Sequence, residues 1–433
     1  MNISRRKFIG SSAAAVIVAG TMAKGKVFGA NGRVNIGCIG LNSRGQEHMG
    51  ALCDTQGAQI TALCDVDERV LSDRVNQLRI KTGGDIKPFT DMRVMFEEPS
   101  IDAITIATPN HWHTLAAIWA LQAGKHVYVE KPLCHNVWEG RQLVNLAKKS
   151  GKIVQHGTQA RSETKWLQTI RHLRDGVIGD IYMARALCYK RRDSIGFAPF
   201  EAPPKELHWD IWQGPAERAE FCKNYVHYNW HWFWAYGNGD IGNQGVHQMD
   251  VAIWGLNKGL PTRVYAAGGR YGYKDQAETP NTELATFTYA DGATLAFEVR
   301  GRATNFEADT RIGNLFYGSE GYFIDGDEAK EDNQYRFVGN NDKTLSVKDP
   351  GVKTEGCWQN FVTAVLSGKE EDNFAPASEG FIASAHGHLA NISYRLGRAL
   401  DFDPATERFV NDDEANAMLT RHYHPDFTVP EIT

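Results

Sequence analysis

Residues 36–45 read Ile-Gly-Cys-Ile-Gly-Leu-Asn-Ser-Arg-Gly, an apolar run that ends in a glycine-bearing turn. Turns that join a strand to a helix over a dinucleotide use one glycine for the bend, one for close approach of the pyrophosphate and one for helix–strand packing. Gly40 and Gly45 take the first and third places, and Asn42 stands in the middle. Because asparagine tolerates left-handed backbone angles, the turn is preserved and predicts a dinucleotide site.

Apolar runs alternate with amphipathic stretches on both sides of this turn, as far as residue 155. Alternation of strands and helices predicts a parallel, doubly wound sheet. The predicted strands are residues 34–39, 60–66, 101–107, 126–129 and 152–155, and helices such as 113–123 and 137–149 lie between them.

The second half of the chain has a different pattern. Strand-like runs separated by turn signals predict a mostly antiparallel sheet, after a region rich in proline and tryptophan at residues 197–234. A chain of 433 residues is too long for one ordinary core. The predicted elements are a helix at 162–175, strands at 263–268, 282–289, 294–300 and 311–317, and a closing helix at 378–400.

Composition narrows the class of protein. The chain is 42% hydrophobic and 23% charged, with a net charge of -5. This balance gives no general electrostatic attraction to nucleic acid or to an anionic membrane. The seven cysteines show no CxxC spacing, and Cys38 and Cys64 lie in apolar runs typical of small buried side chains.

Residues 1–30 have the pattern of a targeting segment. Ser4-Arg5-Arg6-Lys7-Phe8-Ile9 precedes an apolar run too short to span a bilayer, and small residues follow around position 30. The paired arginines resemble a twin-arginine export signal. The pattern predicts export of the folded protein by the twin-arginine translocase to the periplasm or another extracytoplasmic space, without stable membrane insertion. A basic disordered tail is the alternative.

Two further residues indicate the cofactor. Residues 128–132, Tyr-Val-Glu-Lys-Pro, place Lys131 at the end of a buried strand, between an acid and a proline. Asp65 ends the second predicted strand, where a carboxylate accepts hydrogen bonds from the ribose hydroxyls and repels a 2′-phosphate. We therefore expect NAD rather than NADP, with Lys131 beside the nicotinamide. The alternative role for Asp65 is a helix cap.

Four motifs occur in the order found in the glucose–fructose oxidoreductase and inositol dehydrogenase family (Gfo/Idh/MocA), which the chain resembles. They are the glycine turn, Ala107-Thr108-Pro109-Asn110 with His113, Glu130-Lys131-Pro132 and Gly157-Thr158-Gln159-Ala160-Arg161. The resemblance implies a Rossmann domain at 31–157, then an α+β domain with an open, mostly antiparallel sheet at 158–433. Family members mostly oxidise or reduce sugars, inositols and related polyols with NAD(P). The residues assigned to the cofactor are Gly40, Asn42, Ser43, Arg44, Gly45, Asp65, Thr108, Asn110, His113, Glu130, Lys131 and Gln159.

Oxidation of a secondary alcohol requires a base within hydrogen-bond reach of the hydroxyl. Lys131 is the candidate, because burial and the positive nicotinamide ring both lower the pKa of a lysine. The family also carries an Asp four residues before a His, and here Asn243 stands four residues before His247. Asn243 cannot ionise, although it can bind a substrate hydroxyl. Acid–base work is therefore assigned to Lys131 and His247, with Asp240 as a substitute base and Asp250 as a residue that orients the His247 ring.

Candidate substrate contacts come from two other segments. Arg161 occupies a family position near cofactor and substrate, although a structural salt bridge is an equal alternative. Residues 227–234, His-Tyr-Asn-Trp-His-Trp-Phe-Trp, place Trp230 and His231 in an aromatic run that is either a sugar platform or core packing. The histidine pairs 227/231 and 386/388 lack companion ligands, so no metal site is predicted.

These features leave three functions open. The first is an exported oxidoreductase that transfers hydride between tightly bound NAD(P) and a sugar, glycoside or polyol. The second is an NAD-dependent glycosidase that works by transient oxidation, elimination and re-reduction. The third is a non-catalytic sugar-binding protein. An open antiparallel sheet often pairs subunits face to face, so a homo-oligomer is expected.

Overall fold

The glycine turn lies where predicted, between the first strand and the first helix of a parallel sheet. The computed structural model describes residues 32–302, 305–326 and 335–433, so the predicted signal segment at 1–30 lies outside the described residues. Six strands pair in parallel in the order β3-β2-β1-β4-β5-β6, the doubly wound order of a dinucleotide-binding domain. They are β1 Val34–Ile39, β2 Ala58–Cys64, β3 Lys87–Phe89, β4 Ala103–Ile106, β5 His126–Val129 and β6 Val154–His156.

Five helices connect these strands: α1 Arg44–Cys53, α2 Glu68–Thr82, α3 Met92–Phe96, α4 Asn110–Gln122 and α5 Val137–Ser150. Local chemistry sets their ends. The side chain of Asp67 accepts the backbone N–H of Arg69 at the start of α2, and Gly83 closes that helix with φ 66°. Pro109 precedes α4, which therefore begins three residues before the predicted residue 113.

The second sheet has nine strands in the order β13-β12-β11-β7-β10-β9-β8-β14-β15. Among the described strands of this sheet, only β7 and β10 pair in parallel, which confirms a mostly antiparallel sheet. Its strands are β7 Ile181–Cys188, β8 Arg263–Gly269, β9 Thr282–Thr288, β10 Thr294–Arg300, β11 Ile312–Gly318, β12 Gly321–Ile324, β13 Arg336–Gly339, β14 Leu400–Asp403 and β15 Arg408–Phe409.

The remaining helices are α6 Thr164–Arg174, α7 Trp209–Gln213, α8 Val246–Leu256, α9 Cys357–Ser367, α10 Ala377–Leu396 and α11 Asp413–Ala417. Of these, α8 and α10 pack against one face of the second sheet. The long α10 ends four residues before the predicted residue 400, because Gly397 takes φ 68° and the chain turns into β14. The opposite face exposes large side chains, including Tyr182, Tyr265 and Leu284. None of the helices within the described ranges is long and apolar enough to cross a membrane.

Helix α9 belongs by packing to the first sheet, although it lies late in the chain. Phe361 and Val362 are fully buried in an apolar cluster with Val34 and Tyr128. The rings of Tyr128 and Phe361 are 5.7 Å apart, and the side chain of Gln155 donates a hydrogen bond to the carbonyl oxygen of Cys357. A helix that lies more than 200 residues further along the chain therefore covers part of the nucleotide-binding sheet.

Candidate active site

A cleft of about 1120 Å³ opens at the carboxyl ends of the parallel strands, and we call it the main cleft. Gly40, with φ +76°, sits at its floor, where an added Cβ would lie 2.7 Å from the carbonyl oxygen of Ala107. At Gly45 an added Cβ would lie 1.7 Å from the carbonyl oxygen of Gly40. Neither position accepts a side chain, so the turn keeps its backbone open to the cleft.

The N-terminus of α1 faces the same cleft. No acceptor within the described part of the chain takes the backbone N–H groups of residues 42–44. Ser43, which precedes the helix, has φ 45° and makes no capping hydrogen bond. Unpaired N–H groups at a helix start form an anion site. Together with the glycine cradle, they fit a pyrophosphate.

Asp65 forms part of the cleft wall at the end of β2. Its carboxylate accepts the backbone N–H of Leu41 at 2.8 Å and that of Asp67 at 2.9 Å. The cap of α2 is Asp67, so the helix-cap alternative for Asp65 is wrong. The two backbone bonds leave lone pairs on both carboxylate oxygens, and the residue keeps the position expected of a ribose ligand.

Most residues predicted to bind the cofactor meet in this cleft. Gly45 lies beneath the turn, and Gln159 lines a neighbouring cavity. The predicted residues on the wall of the main cleft are Gly40, Asn42, Ser43, Arg44, Asp65, Thr108, Asn110, His113, Glu130 and Lys131.

Glu130 links the glycine turn to the Lys131 segment. It accepts hydrogen bonds from Arg44 at 2.8 Å, from His48 at 3.1 Å and from Gln159 at 3.4 Å. Burial opposes ionisation of Glu130, but the His48 hydrogen bond and the Arg44 charge hold its pKa well below the usual value. Its carboxylate also accepts the backbone N–H of Lys131 at 3.2 Å. Glu130 therefore fixes the direction in which Lys131 leaves the strand.

Lys131 contacts the second motif directly. Its Nζ lies 2.6 Å from the carbonyl oxygen and 3.0 Å from Oδ1 of Asn243. Burial lowers the pKa of Lys131 to about 8, although the charge of Glu130 partly opposes this shift. Asn243 sits in a π-helical turn, Ile241–Gly245, that leads into α8. This contact joins the Lys131 segment to the segment that carries Asn243 and His247.

His113 is held by backbone on both sides. Its ring nitrogens lie 2.6 Å from the carbonyl oxygen of Pro132 and 2.9 Å from that of Thr108. Burial lowers its pKa. The ring therefore ties two loops of the main cleft together, and neither nitrogen is left for a ligand. The bond between Lys131 and Pro132 is cis.

His247 lies one helical turn after Asn243, on the wall of an adjacent cavity that we call the His247 cavity. Burial and the nearby Lys131 ammonium lower its pKa to about 3, so the ring is neutral at physiological pH. The structure records no hydrogen bond from His247 to any described residue. Asp250, predicted to orient this ring, instead pairs with Arg161.

The pair of Arg161 and Asp250 is buried. Arg161 Nε lies 2.9 Å from both carboxylate oxygens of Asp250, and a terminal nitrogen of Arg161 lies 3.0 Å from Glu379. Arg161 lines neither the main cleft nor the His247 cavity. This placement favours the salt-bridge alternative for Arg161 over a substrate contact.

Asp240 also forms an ion pair with an arginine. Arg192 donates hydrogen bonds to both carboxylate oxygens of Asp240, at 2.6 and 2.9 Å, and the Asp240 side chain is buried. A carboxylate held in this two-point ion pair is a weak substitute base, contrary to the expectation for Asp240. Arg192 was not predicted, because it lies in an irregular region without a motif.

The aromatic segment divides between the two predicted roles. Trp230 and His231 line the main cleft, with their rings stacked 3.5 Å apart. Phe233 packs into an apolar cluster. Tyr228, which was not singled out, also lines the cleft, and its hydroxyl accepts a hydrogen bond from Arg192 at 3.2 Å. Only its place in an aromatic run could have indicated it.

The histidines with ligand-like spacing have other partners. His227 lies 3.3 Å from Asp67, and His386 lies 3.0 Å from the hydroxyl of Tyr289. Among the described residues there is no group of three or more side chains placed to hold a metal ion. All seven cysteines are unpaired, and Cys38 and Cys64 are buried as predicted.

Curated relatives match only part of the chain. A glycosyl hydrolase family 109 protein of Shewanella sp. (strain MR-4) is 33% identical over 164 residues, 35% of this chain and 34% of that protein. A family 109 protein of Shewanella pealeana is 29% identical over 214 residues, 43% of this chain and 46% of that protein. The chain thus matches about a third to a half of the length of these relatives.

Solved structures share the whole fold at low identity. The WlbA dehydrogenase from Bordetella pertussis, in complex with NADH and UDP-GlcNAcA, has a TM-score of 0.63 at 20% identity, covering 86% of this chain and 99% of that one. An aldose-aldose oxidoreductase from Caulobacter crescentus complexed with glycerol has a TM-score of 0.63 at 16% identity, covering 86% and 100%.

Two family models cover most of the chain. The NAD-binding Rossmann fold of the oxidoreductase family matches residues 34–158, and the family's C-terminal alpha/beta domain matches residues 197–429. Both halves therefore carry the domains that the four sequence motifs indicated. The chain belongs to the Gfo/Idh/MocA oxidoreductase family.

Proposed function

We propose that this protein is an NAD(P)-dependent oxidoreductase that acts on a hydroxyl-bearing carbon of a sugar, glycoside or polyol. The observation that carries the proposal is the buried Lys131 amine, with a pKa of about 8, at the inner end of a cleft that begins with a pyrophosphate cradle. When bound, the cofactor accepts or returns a hydride at its nicotinamide ring. The remaining requirement is a group that takes the hydroxyl proton.

Lys131 meets that requirement. A general base works best when its pKa lies near the operating pH. The pKa of Lys131, about 8, is far closer to physiological pH than the pKa of His247, about 3. The amine donates to Asn243, so a substrate hydroxyl would replace or share that contact. Neutral His247 lines the adjacent His247 cavity rather than the main cleft, so it is not assigned the acid–base role.

The preferred cofactor is NAD. Support comes from Asp65, whose carboxylate is fixed by Leu41 and Asp67 where the adenosine ribose would lie. A negative charge there accepts hydrogen bonds from ribose hydroxyls and repels a 2′-phosphate. Replacing Asp65 by Asn should reduce the preference for NAD over NADP by about tenfold, the effect of one charged hydrogen bond. Fluorescence titration with both reduced cofactors measures this ratio.

A second function is favoured by the names of the curated relatives, which are glycosyl hydrolase family 109 proteins. In that case, oxidation of a sugar hydroxyl acidifies the neighbouring C–H bond. A base removes this proton, the glycosidic oxygen leaves, water adds, and the carbonyl is reduced again. The net reaction is hydrolysis, with no change in cofactor redox state. Lys131 would serve both proton transfers.

One experiment separates these functions. The purified protein, with its cofactor, is mixed with a panel of sugars and matched aryl glycosides, while absorbance of reduced nicotinamide and release of aglycone are followed. Accumulating reduced cofactor with a keto-sugar supports the oxidoreductase. Released aglycone without net reduction supports the glycosidase. Binding without either product would contradict both and leave a sugar-binding protein.

Export and assembly are part of the same proposal. The paired arginines at residues 5 and 6 support passage through the twin-arginine translocase into an extracytoplasmic space. The open face of the nine-stranded sheet, with exposed Tyr182, Tyr265 and Leu284, supports a homo-oligomer. Fractionation of cells expressing an Arg5→Lys, Arg6→Lys variant tests export, and light scattering of the mature protein tests assembly.

A further inference from the structure

The two ring nitrogens of His231 have different roles. Its Nδ1 lies 2.5 Å from the backbone carbonyl oxygen of Tyr228. A carbonyl oxygen can only accept, so Nδ1 carries a proton and donates it. Burial holds the pKa of His231 well below its usual value, so the ring is neutral at physiological pH. Because a neutral imidazole has a single N–H, Nε2 carries a lone pair and can only accept.

The accepting nitrogen is open to solvent. Within residues 32–302, 305–326 and 335–433, no donor is bonded to Nε2 of His231. This atom is also not one of the unpaired side-chain atoms that the fold closes to solvent. The whole residue is only 8% exposed, and it lines the main cleft. The lone pair is therefore presented to the main cleft.

Aromatic neighbours fix the orientation of the His231 ring. The ring of Trp230 stacks on it, with centroids 3.5 Å apart and planes 19° apart, and the ring of Tyr228 lies 4.7 Å away. The indole N–H of Trp230 is itself bonded to the carbonyl oxygen of His227 at 3.0 Å. With Nδ1 also anchored, the position of Nε2 is set before any ligand arrives.

His231 lies toward the Lys131 end of the main cleft. The positive charges that most oppose protonation of its ring are those of Lys131 and Arg192. The residues that fit the pyrophosphate and the ribose, 40–45 and Asp65, belong to the first half of the chain. His231 and Asn243 come from the second half and line the same cleft. This placement favours the substrate over the nucleotide as the partner of Nε2.

An accepting nitrogen in a nearly closed position selects a group that can donate. A hydroxyl meets this requirement. A carboxylate or carbonyl oxygen would place lone pair against lone pair, and a carbon without its hydroxyl would leave Nε2 unpaired at a cost. An ammonium group could donate, but the nearby Lys131 ammonium opposes a second positive charge.

We propose that His231 is a substrate-binding residue whose Nε2 accepts a hydrogen bond from a second substrate hydroxyl, distinct from the hydroxyl that is oxidised. This inference rests on the proposed function, in which Lys131 contacts the reacting hydroxyl. It names the substrate class more closely: a sugar or polyol with at least two hydroxyls, one of which is required for recognition.

Two substitutions separate the acceptor from the fold. In His231→Asn the side-chain amide takes the place of Nδ1 and can still donate to Tyr228, but nothing takes the place of Nε2. In His231→Gln the longer amide reaches the place of Nε2, and its oxygen can accept. His422→Asn, at an exposed histidine that lines neither the main cleft nor the His247 cavity, is the matched control.

Steady-state kinetics of the cofactor-loaded proteins provide the first measurement. The probes are glucose, galactose, mannose, N-acetylglucosamine and myo-inositol. For the best of these substrates, His231→Asn should raise KM by about tenfold, the effect of one hydrogen bond, and leave kcat within about twofold. His231→Gln should recover most of the loss, and His422→Asn should match the wild type. An unchanged KM in His231→Asn would overturn the proposal.

Monodeoxy analogues of the best substrate provide a second measurement, which needs no variant. One analogue should lose about tenfold in kcat/KM with the wild type, and His231→Asn should no longer distinguish it from the parent sugar. Discrimination that persists in His231→Asn overturns the proposal. Weaker cofactor binding by His231→Asn in fluorescence titration does so too, because Nε2 would then serve the nucleotide. If the wild type neither binds nor converts any of the five probes, the proposed function fails first, and this inference with it.

Discussion

Replacing Lys131 with methionine should change how protein stability depends on pH. Burial lowers the pKa of this amine from 10.5 to about 8. A shift of that size corresponds to roughly 3 kcal/mol of unfavourable free energy for the charged form. The folded wild-type protein carries this penalty fully below about pH 8 and loses it above pH 10.5. Methionine, of similar length, carries no such penalty at any pH.

As pH rises from 7 to 10, the stability of the wild type relative to Lys131→Met should increase, approaching roughly 3 kcal/mol at full deprotonation. Urea unfolding of both proteins at pH 7 and pH 10, at constant ionic strength, measures the difference. Titrating groups that do not interact with Lys131 are the same in both proteins and cancel in this comparison. The same substitution at an exposed position, Lys190→Met, is the matched control.

The same substitution should lower kcat/KM by about 10²- to 10⁴-fold, the usual contribution of a general base. The wild-type kcat/KM should rise between pH 7 and 9 as the amine loses its proton, and the residual activity of Lys131→Met should lack this rise. If the stability difference does not move with pH, Lys131 is not a buried amine with a shifted pKa. If activity survives the substitution, another group takes the proton.

Three other substitutions test the surrounding structure. Gly45→Ala places a Cβ 1.7 Å from the carbonyl oxygen of Gly40, so it should destabilise the protein by about 1–3 kcal/mol and weaken cofactor binding. Gly50→Ala, where a Cβ meets nothing within 4 Å, is the control and should have neither effect in thermal unfolding and cofactor titration. Burial raises the pKa of Glu283 to about 8, so the free energy of unfolding of the wild type should fall between pH 4.5 and pH 8. Glu283→Gln should remove this fall and stabilise the protein by roughly 3 kcal/mol at pH 7. Urea unfolding of both proteins measures the difference. Asp250→Asn should lower the free energy of unfolding by about 3–5 kcal/mol, because Arg161 stays buried without its main partner. Cofactor affinity should stay unchanged. A large loss of cofactor affinity would instead indicate that Arg161 acts in the active site.

Local signals predicted the nucleotide-binding half well. The glycine turn, the strand ending at Asp65 and the segment around Lys131 each depend on neighbours within a few residues. A parallel sheet brings strand carboxyl ends to one edge, so these residues had to meet. The resemblance, rather than spacing, supplied the long-range pairing of Lys131 with the segment of Asn243 and His247, although the predicted partner was His247 and the observed contact is with Asn243.

The ion pairs could not be predicted in the same way. Asp240 is neutralised by Arg192, 48 residues earlier, and Asp250 by Arg161, 89 residues earlier. Neither arginine has a local pattern that identifies its partner. Strand β7 was also missed, because its sequence, Ile-Tyr-Met-Ala-Arg-Ala-Leu-Cys, shows no clean alternation of apolar and polar residues.

The packing of α9 under the first sheet has a consequence for synthesis of the protein. During synthesis, the nucleotide-binding strands leave the ribosome long before Phe361 and Val362 do. One apolar surface of that sheet therefore stays exposed while some 200 further residues are added. A fragment ending near residue 157 should therefore aggregate or recruit chaperones rather than form an autonomous unit. Cofactor capture would then begin only when translation is nearly complete.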